Sequence, residues 1–336
     1  MFRAGRRSLI WVVVASACAG LSLAGCPNAT SLSPCTCDYY GINCMRAQSA
    51  AQLRRAFRSG DEFSREHRDL WIQSTTIESF KAGVLGLFKF QNVHIERNVN
   101  LSSFTLDSLM HIRLVMSALS LYGNALETFE YDKFARFTGL VSLNLGGNKL
   151  SRIPPNAFRS IRLKRLSLSE NPITYIGAAA FFALPNLTEL QLSHTRLKIV
   201  GDHSLSFMRA SRKLKIDLSH SAITTFHYTA FDAAAPVEVN LSHNNLTALD
   251  KEPFESLIYR MYTNVRGLSL RPVINVQGNP LTCQGCSYMW LIHSRIRRKL
   301  LGDILEGFKC PDGSGVSGLA NRKIKCTAPF STLNLG

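Results

Sequence analysis

The middle of the chain repeats one short apolar pattern. Leu140, Leu143, Leu145 and Leu150 follow the order L-x-x-L-x-L, with Asn148 ahead of the last leucine and Ile153 and Phe158 behind it. The order returns at Leu163, Leu166, Leu168, Asn171 and Ile173, trailed by Ile176 and Phe181. It returns again at Leu187, Leu190, Leu192, Thr195 and Leu197, trailed by Val200. Equivalent positions at Ile72, Ile95, Leu121, Leu145, Leu168, Leu192, Leu218 and Leu241 are spaced 23, 26, 24, 23, 24, 26 and 23 residues. Eight units result, and Ile274 with Val276 marks a degenerate ninth. The alternation predicts a short strand with one face inward. A single unit of this kind cannot bury its apolar side, whereas stacked neighbours make a continuous core. The pattern therefore predicts an α/β solenoid with a parallel sheet on its concave side.

Two further columns run through the period. Asn98, Asn124, Asn148, Asn171, Asn244 and Asn279 stand where the chain leaves the strand. There a side-chain amide can satisfy backbone groups that a tight turn leaves unpaired. Thr75, Thr195 and Ser221 hold the same place with a hydroxyl, and weaker rungs are expected there. About ten residues later comes an apolar wedge at Phe134, Phe158, Phe181, Phe231 and Phe254, with Leu85 and Leu205 in two other units. These residues are expected to fill the convex side.

The cysteines change the picture at both ends. Nine occur in 336 residues: five before residue 45, four after residue 282, and none between. Such clustering reads as two stapled modules around a cysteine-free body, and it fits an oxidising compartment. At the start, Arg3, Arg6 and Arg7 precede an apolar run from Leu9 to about Ala24 that ends in small residues, the layout of a secretory signal. Cleavage near Ala24 or Gly25 would remove Cys18 and leave eight cysteines. The expected division is residues 1–25 as signal, 26–50 as an N-terminal cysteine cap, 51–278 as repeats, 279–327 as a C-terminal cap and 328–336 as a short tail. No later stretch is long and apolar enough to span a membrane.

The repeat and its flanks resemble the extracellular leucine-rich repeat family over residues 26–327. Cys26-Pro27, Cys35-Thr36-Cys37 and Cys44 look like that family's N-terminal cap. Asn279 to Cys283, Cys286 to Trp290, Cys310 and Cys326 look like its C-terminal cap. The resemblance implies a leucine-rich repeat horseshoe with disulfide-capped ends, paired Cys26–Cys37, Cys35–Cys44, Cys283–Cys310 and Cys286–Cys326. The first two cysteines of the second cap are spaced C-x-x-C where the family usually has C-x-C. Such caps cover core leucines that the ends of a solenoid would otherwise expose. The 26-residue units and the single array between two caps resemble, more narrowly, a group of secreted arthropod proteins. That group includes the non-catalytic leucine-rich subunit of shrimp luciferase.

Outward strand positions and strand-to-turn junctions supply the candidate binding face: Tyr122, Lys164, Arg165, Glu170, Glu189, Gln191, His194, Lys215, Asp217, His220, Glu238 and His243. The strip is polar and mixed in charge. His194, His220 and His243 occupy one slot of three consecutive units, so at the spacing of adjacent strands they should form a column. An exposed turn sequence is the plain reading of that column; an acid-sensitive contact or a weak metal patch is the functional one. Sequons at Asn28, Asn100, Asn186, Asn240 and Asn245 permit N-glycosylation.

Lysine and arginine number 39 against 23 acids, a formal charge of +16. The excess gathers at Arg162 to Arg165, Arg209 to Lys215, Arg295 to Lys299 and Arg322 to Lys325. Sulfated glycan is a fitting partner for such patches. Nucleic acid is not expected, because no stacking aromatics are interleaved with them. No catalytic constellation, phosphate loop, cofactor motif or metal-ligand spacing stands out, and open solenoids lack an enclosed cavity for chemistry. The expectation is a secreted, non-enzymatic binding or scaffold protein that meets an extracellular or cell-surface protein. An accessory subunit of a secreted enzyme and the ectodomain of a receptor are the alternatives.

Overall fold

The computed structural model describes residues 25–58, 65–209, 211–293 and 298–321. The signal segment, Cys326 and the tail lie outside these residues. Among the described residues twelve strands form one sheet whose order follows the chain. Thr36–Cys37 pairs antiparallel with Gly41–Asn43, and every later pairing is parallel. The repeat strands are Glu66–Gln73, Lys89–Glu96, Ala118–Ser120, Ser142–Asn144, Arg165–Ser167, Glu189–Gln191, Lys215–Asp217, Glu238–Asn240 and Val273–Asn275, with Leu305–Glu306 added at the far edge. Their register places Leu70, Val93, Leu119, Leu143, Leu166, Leu190, Ile216, Val239 and Ile274 side by side, all buried. One apolar core runs continuously beneath them from cap to cap.

The wedge residues Phe134, Phe158, Phe181, Phe231 and Phe254 are buried, as are Leu85 and Leu205. Phe158 and Phe181 stack at 5.8 Å, and Phe207 continues the stack from Phe181 where Leu205 is too small to do so. Between Val239 and Ile274 the unit lengthens to admit a helix, Lys251–Asn264, which the repeat spacing alone does not announce. Phe254, Leu257, Ile258 and Met261 recur at helical spacing and form its buried face. Arg212 donates to the carbonyls of Asn264 and Arg266 at the helix C-terminus, where a cation is favoured. One member of an expected basic patch is thus tied to the fold.

The asparagines stitch the units together. The carboxamide oxygens of Asn98, Asn124, Asn148, Asn171, Asn244 and Asn279 accept from the N–H groups of Thr75, Asn98, Leu126, Leu150, Ile223 and Leu246 in the preceding unit, at 2.9–3.2 Å. Each also donates to a carbonyl of that unit, from Asn98 to Ile72 through Asn279 to Leu241. Thr195 and Ser221 interrupt this ladder. The hydroxyl of Ser221 accepts from the Thr195 N–H at 3.1 Å and shares a hydrogen bond with the Thr195 hydroxyl.

The ends are closed covalently. Disulfides join Cys26 to Cys37 and Cys35 to Cys44, beside the buried Leu32 and Ile42. At the other end Cys283 is joined to Cys310, and Cys286 is disulfide-bonded as well. Tyr288 Oη and Trp290 Nε1 donate to the carbonyls of Thr247 and Leu249, seating that cap on the last repeat.

Candidate functional site

The outward face of the sheet can be read in rows. The first strand-facing row runs Asp69, Asn92, Ala118, Ser142, Arg165, Glu189, Lys215 and Glu238. Arg165, Glu189, Lys215 and Glu238 alternate in sign across neighbouring strands, and Lys215 reaches Glu238 at 2.5 Å. Lys164, Arg165 and Lys215 are exposed; Glu189, Gln191, Asp217 and Glu238 are half-buried. The second row runs Trp71, His94, Ser120, Asn144, Ser167, Gln191, Asp217, Asn240 and Asn275.

The N-terminal end of these rows holds a cluster that the sequence reading passed over. Trp71 and His94 stack with ring centroids 6.2 Å apart and planes 11° from parallel. His94 stands between two carboxylates, 3.8 Å from Asp69 and 3.5 Å from Glu96. Arg68 and Asn92 also bind Asp69, and Gln73 donates to Glu96. The His94 imidazole holds the Glu96 carboxyl below the usual carboxylate range. Further along, the Tyr122 ring lies over Gly146 and Gly147, where an added Cβ would sit 3.3 and 3.1 Å from ring atoms. With no side chain beneath it, Tyr122 spans that unit and donates from Oη to Glu170 at 2.9 Å. This bond to a carboxylate raises the Tyr122 phenol above its ordinary range. The alignment of Ile72 with Ile95 already fixed Trp71 and His94 as outward neighbours, so the signal was present.

The histidine column lies just past the strand ends. The rings of His194 and His220 stack at 4.7 Å and those of His220 and His243 at 4.4 Å, with planes 4° and 12° from parallel. All three adopt positive φ, 54°, 51° and 55°. Their slot is left-handed in the neighbouring units too: Ser74, Arg97, Gly123, Gly147, Glu170 and Gly278 share it. Histidine is among the side chains that tolerate this region. His243 rests on Gly278, where an added Cβ would fall 2.6 Å from its Nδ1. Parallel rings do not aim their nitrogens at one point. Among the described residues no group of three histidine, cysteine or acidic side chains is arranged to hold a metal ion.

The sequons differ in what engages their side chains. Asn28 caps a helix and accepts from Thr30, while Asn100 is exposed on a turn and Asn245 is exposed in an irregular segment. Asn186 donates from Nδ2 to the Ile161 carbonyl at 2.6 Å, so a sugar attached at that nitrogen would share it with this bond. Asn240 accepts from the Ser242 N–H and is half-buried on the concave face. Among the described residues no helix is long and apolar enough to cross a membrane.

A profile described as "Leucine rich repeat" matches residues 115–173 and 161–217. The chain is 27% identical to the Oplophorus-luciferin 2-monooxygenase non-catalytic subunit of Oplophorus gracilirostris, over 88% of this chain and 86% of that one. It is 33% identical to Tsukushi of Mus musculus over 51% of this chain and 46% of the relative. With Toll-like receptor 9 of Mus musculus it shares 28% over 55% of this chain and 17% of the receptor. It thus spans most of the first relative but less than half of the other two. A solved structure of a TLR13–ssRNA13 complex superposes on 71% of this chain and 36% of its own, with TM-score 0.51 and 19% identity, a likeness of fold. Repeat strands in register, an asparagine ladder between them and a profile matching part of the chain give it the leucine-rich repeat fold with cysteine-capped ends.

Proposed function

We propose that the chain is a secreted, non-enzymatic recognition protein that binds another extracellular protein through the N-terminal part of its concave sheet. The observation that carries this reading is the half-buried Trp71–His94 stack, with Asp69 and Glu96 beside it and Tyr122 tethered to Glu170 across the glycine unit. Aromatic side chains fixed by neighbours and flanked by charge are the usual anchors of protein interfaces. Cysteine caps suit an oxidising, extracellular setting. The relatives include a subunit whose name states that it is non-catalytic. The signal segment, the cap pairing Cys286–Cys326 and the sequons belong to the same reading.

Capture from conditioned medium and cell surfaces tests it. Full-length secreted protein should retain a stoichiometric protein partner at high salt, and Trp71→Ala with Tyr122→Ala should release that partner. Capture that vanishes with salt, or survives the double substitution, overturns the concave-site reading. The extended likeness to a luciferase subunit supports a second reading, in which the partner is a secreted enzyme that this chain stabilises. A captured enzyme with a longer half-life in the presence of the chain would select that reading; a receptor or matrix protein would reject it.

A further inference from the structure

We infer that His194, His220 and His243 form an acid-gated docking column for a sulfated glycan, separate from the concave protein site. Three observations carry this. First, the three imidazoles are exposed, whereas the other histidines in ion pairs face acids: His94 meets Asp69 and Glu96, His203 meets Asp202 and Asp232, and His227 meets Asp202. Among the described residues the column makes no such ion pair and no side-chain hydrogen bond. Second, the stack fixes the rings at 4.4–4.7 Å in one line, so their charges, once acquired, form a row rather than scattered points. Third, the left-handed backbone of the slot holds each ring at the sheet edge, and each slot N–H is bonded to a carbonyl of the following unit. The row is therefore preorganised.

Imidazole is the side chain that changes charge between about pH 5 and 7. Charged rings held 4.4–4.7 Å apart would repel one another. A chain of sulfates removes that penalty by placing an anion opposite each ring, so glycan binding and proton uptake become one coupled event. The charged residues nearest in register are few. Glu170 holds the preceding slot, where the Tyr122 hydroxyl donates to it; Arg196 follows His194 by two residues; Asp217 lies on the strand before His220, accepting from the Ser219 N–H; and Glu306 ends the strand beyond Gly278. The parallel rings, whose nitrogens do not converge, favour a linear polyanion over a single cation. The inference stands apart from the protein-binding reading, and either can fail alone.

The test uses the full-length secreted protein and heparin oligosaccharide, with chemically desulfated heparin as the control. At fixed salt, the wild type should bind heparin at least tenfold more tightly at pH 5.5 than at pH 7.4. Calorimetry in buffers of different ionisation heat should show proton uptake on binding. In H194N/H220N/H243N the acid gain should shrink to within twofold, while the affinity at pH 7.4, set by lysine and arginine, stays unchanged. Asparagine accepts the left-handed slot, and H194G/H220G/H243G repeats the test with the residue that Gly123 and Gly147 already supply there; thermal melts confirm folding of both. An acid gain that persists in both triple variants, that is missing from the wild type, or that is equal for desulfated heparin overturns the inference.

Discussion

At the N-terminal end of the sheet, the second outward row carries Trp71 and His94, whose rings stack on each other. At the other end the same row carries Asp217, Asn240 and Asn275, whose side-chain oxygens accept from the N–H groups of Ser219, Ser242 and Gln277. Strand length goes with this difference. Glu66–Gln73 and Lys89–Glu96 run for eight residues and pair beyond the common register, whereas the later strands have three. On the short strands ending in Asp217, Asn240 and Asn275 that outward residue turns back to hold the turn, and it has less left to offer a partner. Where the strand is long, that position is released for large side chains. The comparison teaches that one repeat can present either a binding row or a row occupied with its own turn chemistry.

The ladder offers the strongest way to break the comparison. Asn171→Ala strands the Leu150 N–H and the Leu168 carbonyl and leaves the Leu145 carbonyl with Asn148 as its one side-chain donor, and it should cost about 3 kcal/mol in denaturant melts. Thr195→Ala, in the interrupted part, should cost about 1 kcal/mol. Equal losses would mean that the two parts of the array are held alike. Next in size, Trp71→Ala should weaken binding of the captured partner by about 2 kcal/mol, roughly 30-fold in Kd. Asp217→Ala should leave that affinity unchanged and lower stability by about 1 kcal/mol, through the lost bond to Ser219.

Acid sharpens the contrast further. Glu96 titrates below its ordinary range because of His94, so its contribution to stability is complete at neutral pH and fades as pH falls through that lowered value. Stability measured from pH 6 down to pH 3 should therefore fall less steeply in Glu96→Gln than in the wild type. The smallest effect is expected for the solvent-accessible pair Lys215–Glu238, where either alanine substitution should move stability by less than about 0.5 kcal/mol.

Much of this architecture was legible in the chain because a fixed period converts directly into register. Leu143, Leu166 and Leu190 lie side by side as their spacing required, and the asparagine column meets the backbone of the unit before it. The helix Lys251–Asn264 was less visible, since Phe254 satisfied the repeat's wedge position and so hid its helical companions Leu257, Ile258 and Met261. The left-handed slot was hinted at by Gly123, Gly147 and Gly278, but the side chains that share it masked the rule. Tyr122 illustrates what period alone cannot give. Its reach to Glu170 depends on two consecutive glycines in the intervening unit, a contact between repeats rather than within one.

The slot also makes the molecule a ruler. Its marks recur at the spacing of parallel strands, about 4.8 Å, and each carries one side chain whose identity the core does not dictate. Serine, arginine, glycine, glutamate and histidine are all written there without altering the scaffold beneath. Any chemical group placed on consecutive marks is thereby displayed at a pitch set by backbone hydrogen bonding. A protein engineer could write charge, hydrophobicity or metal-binding groups onto this edge one unit at a time, and read the result as a linear code.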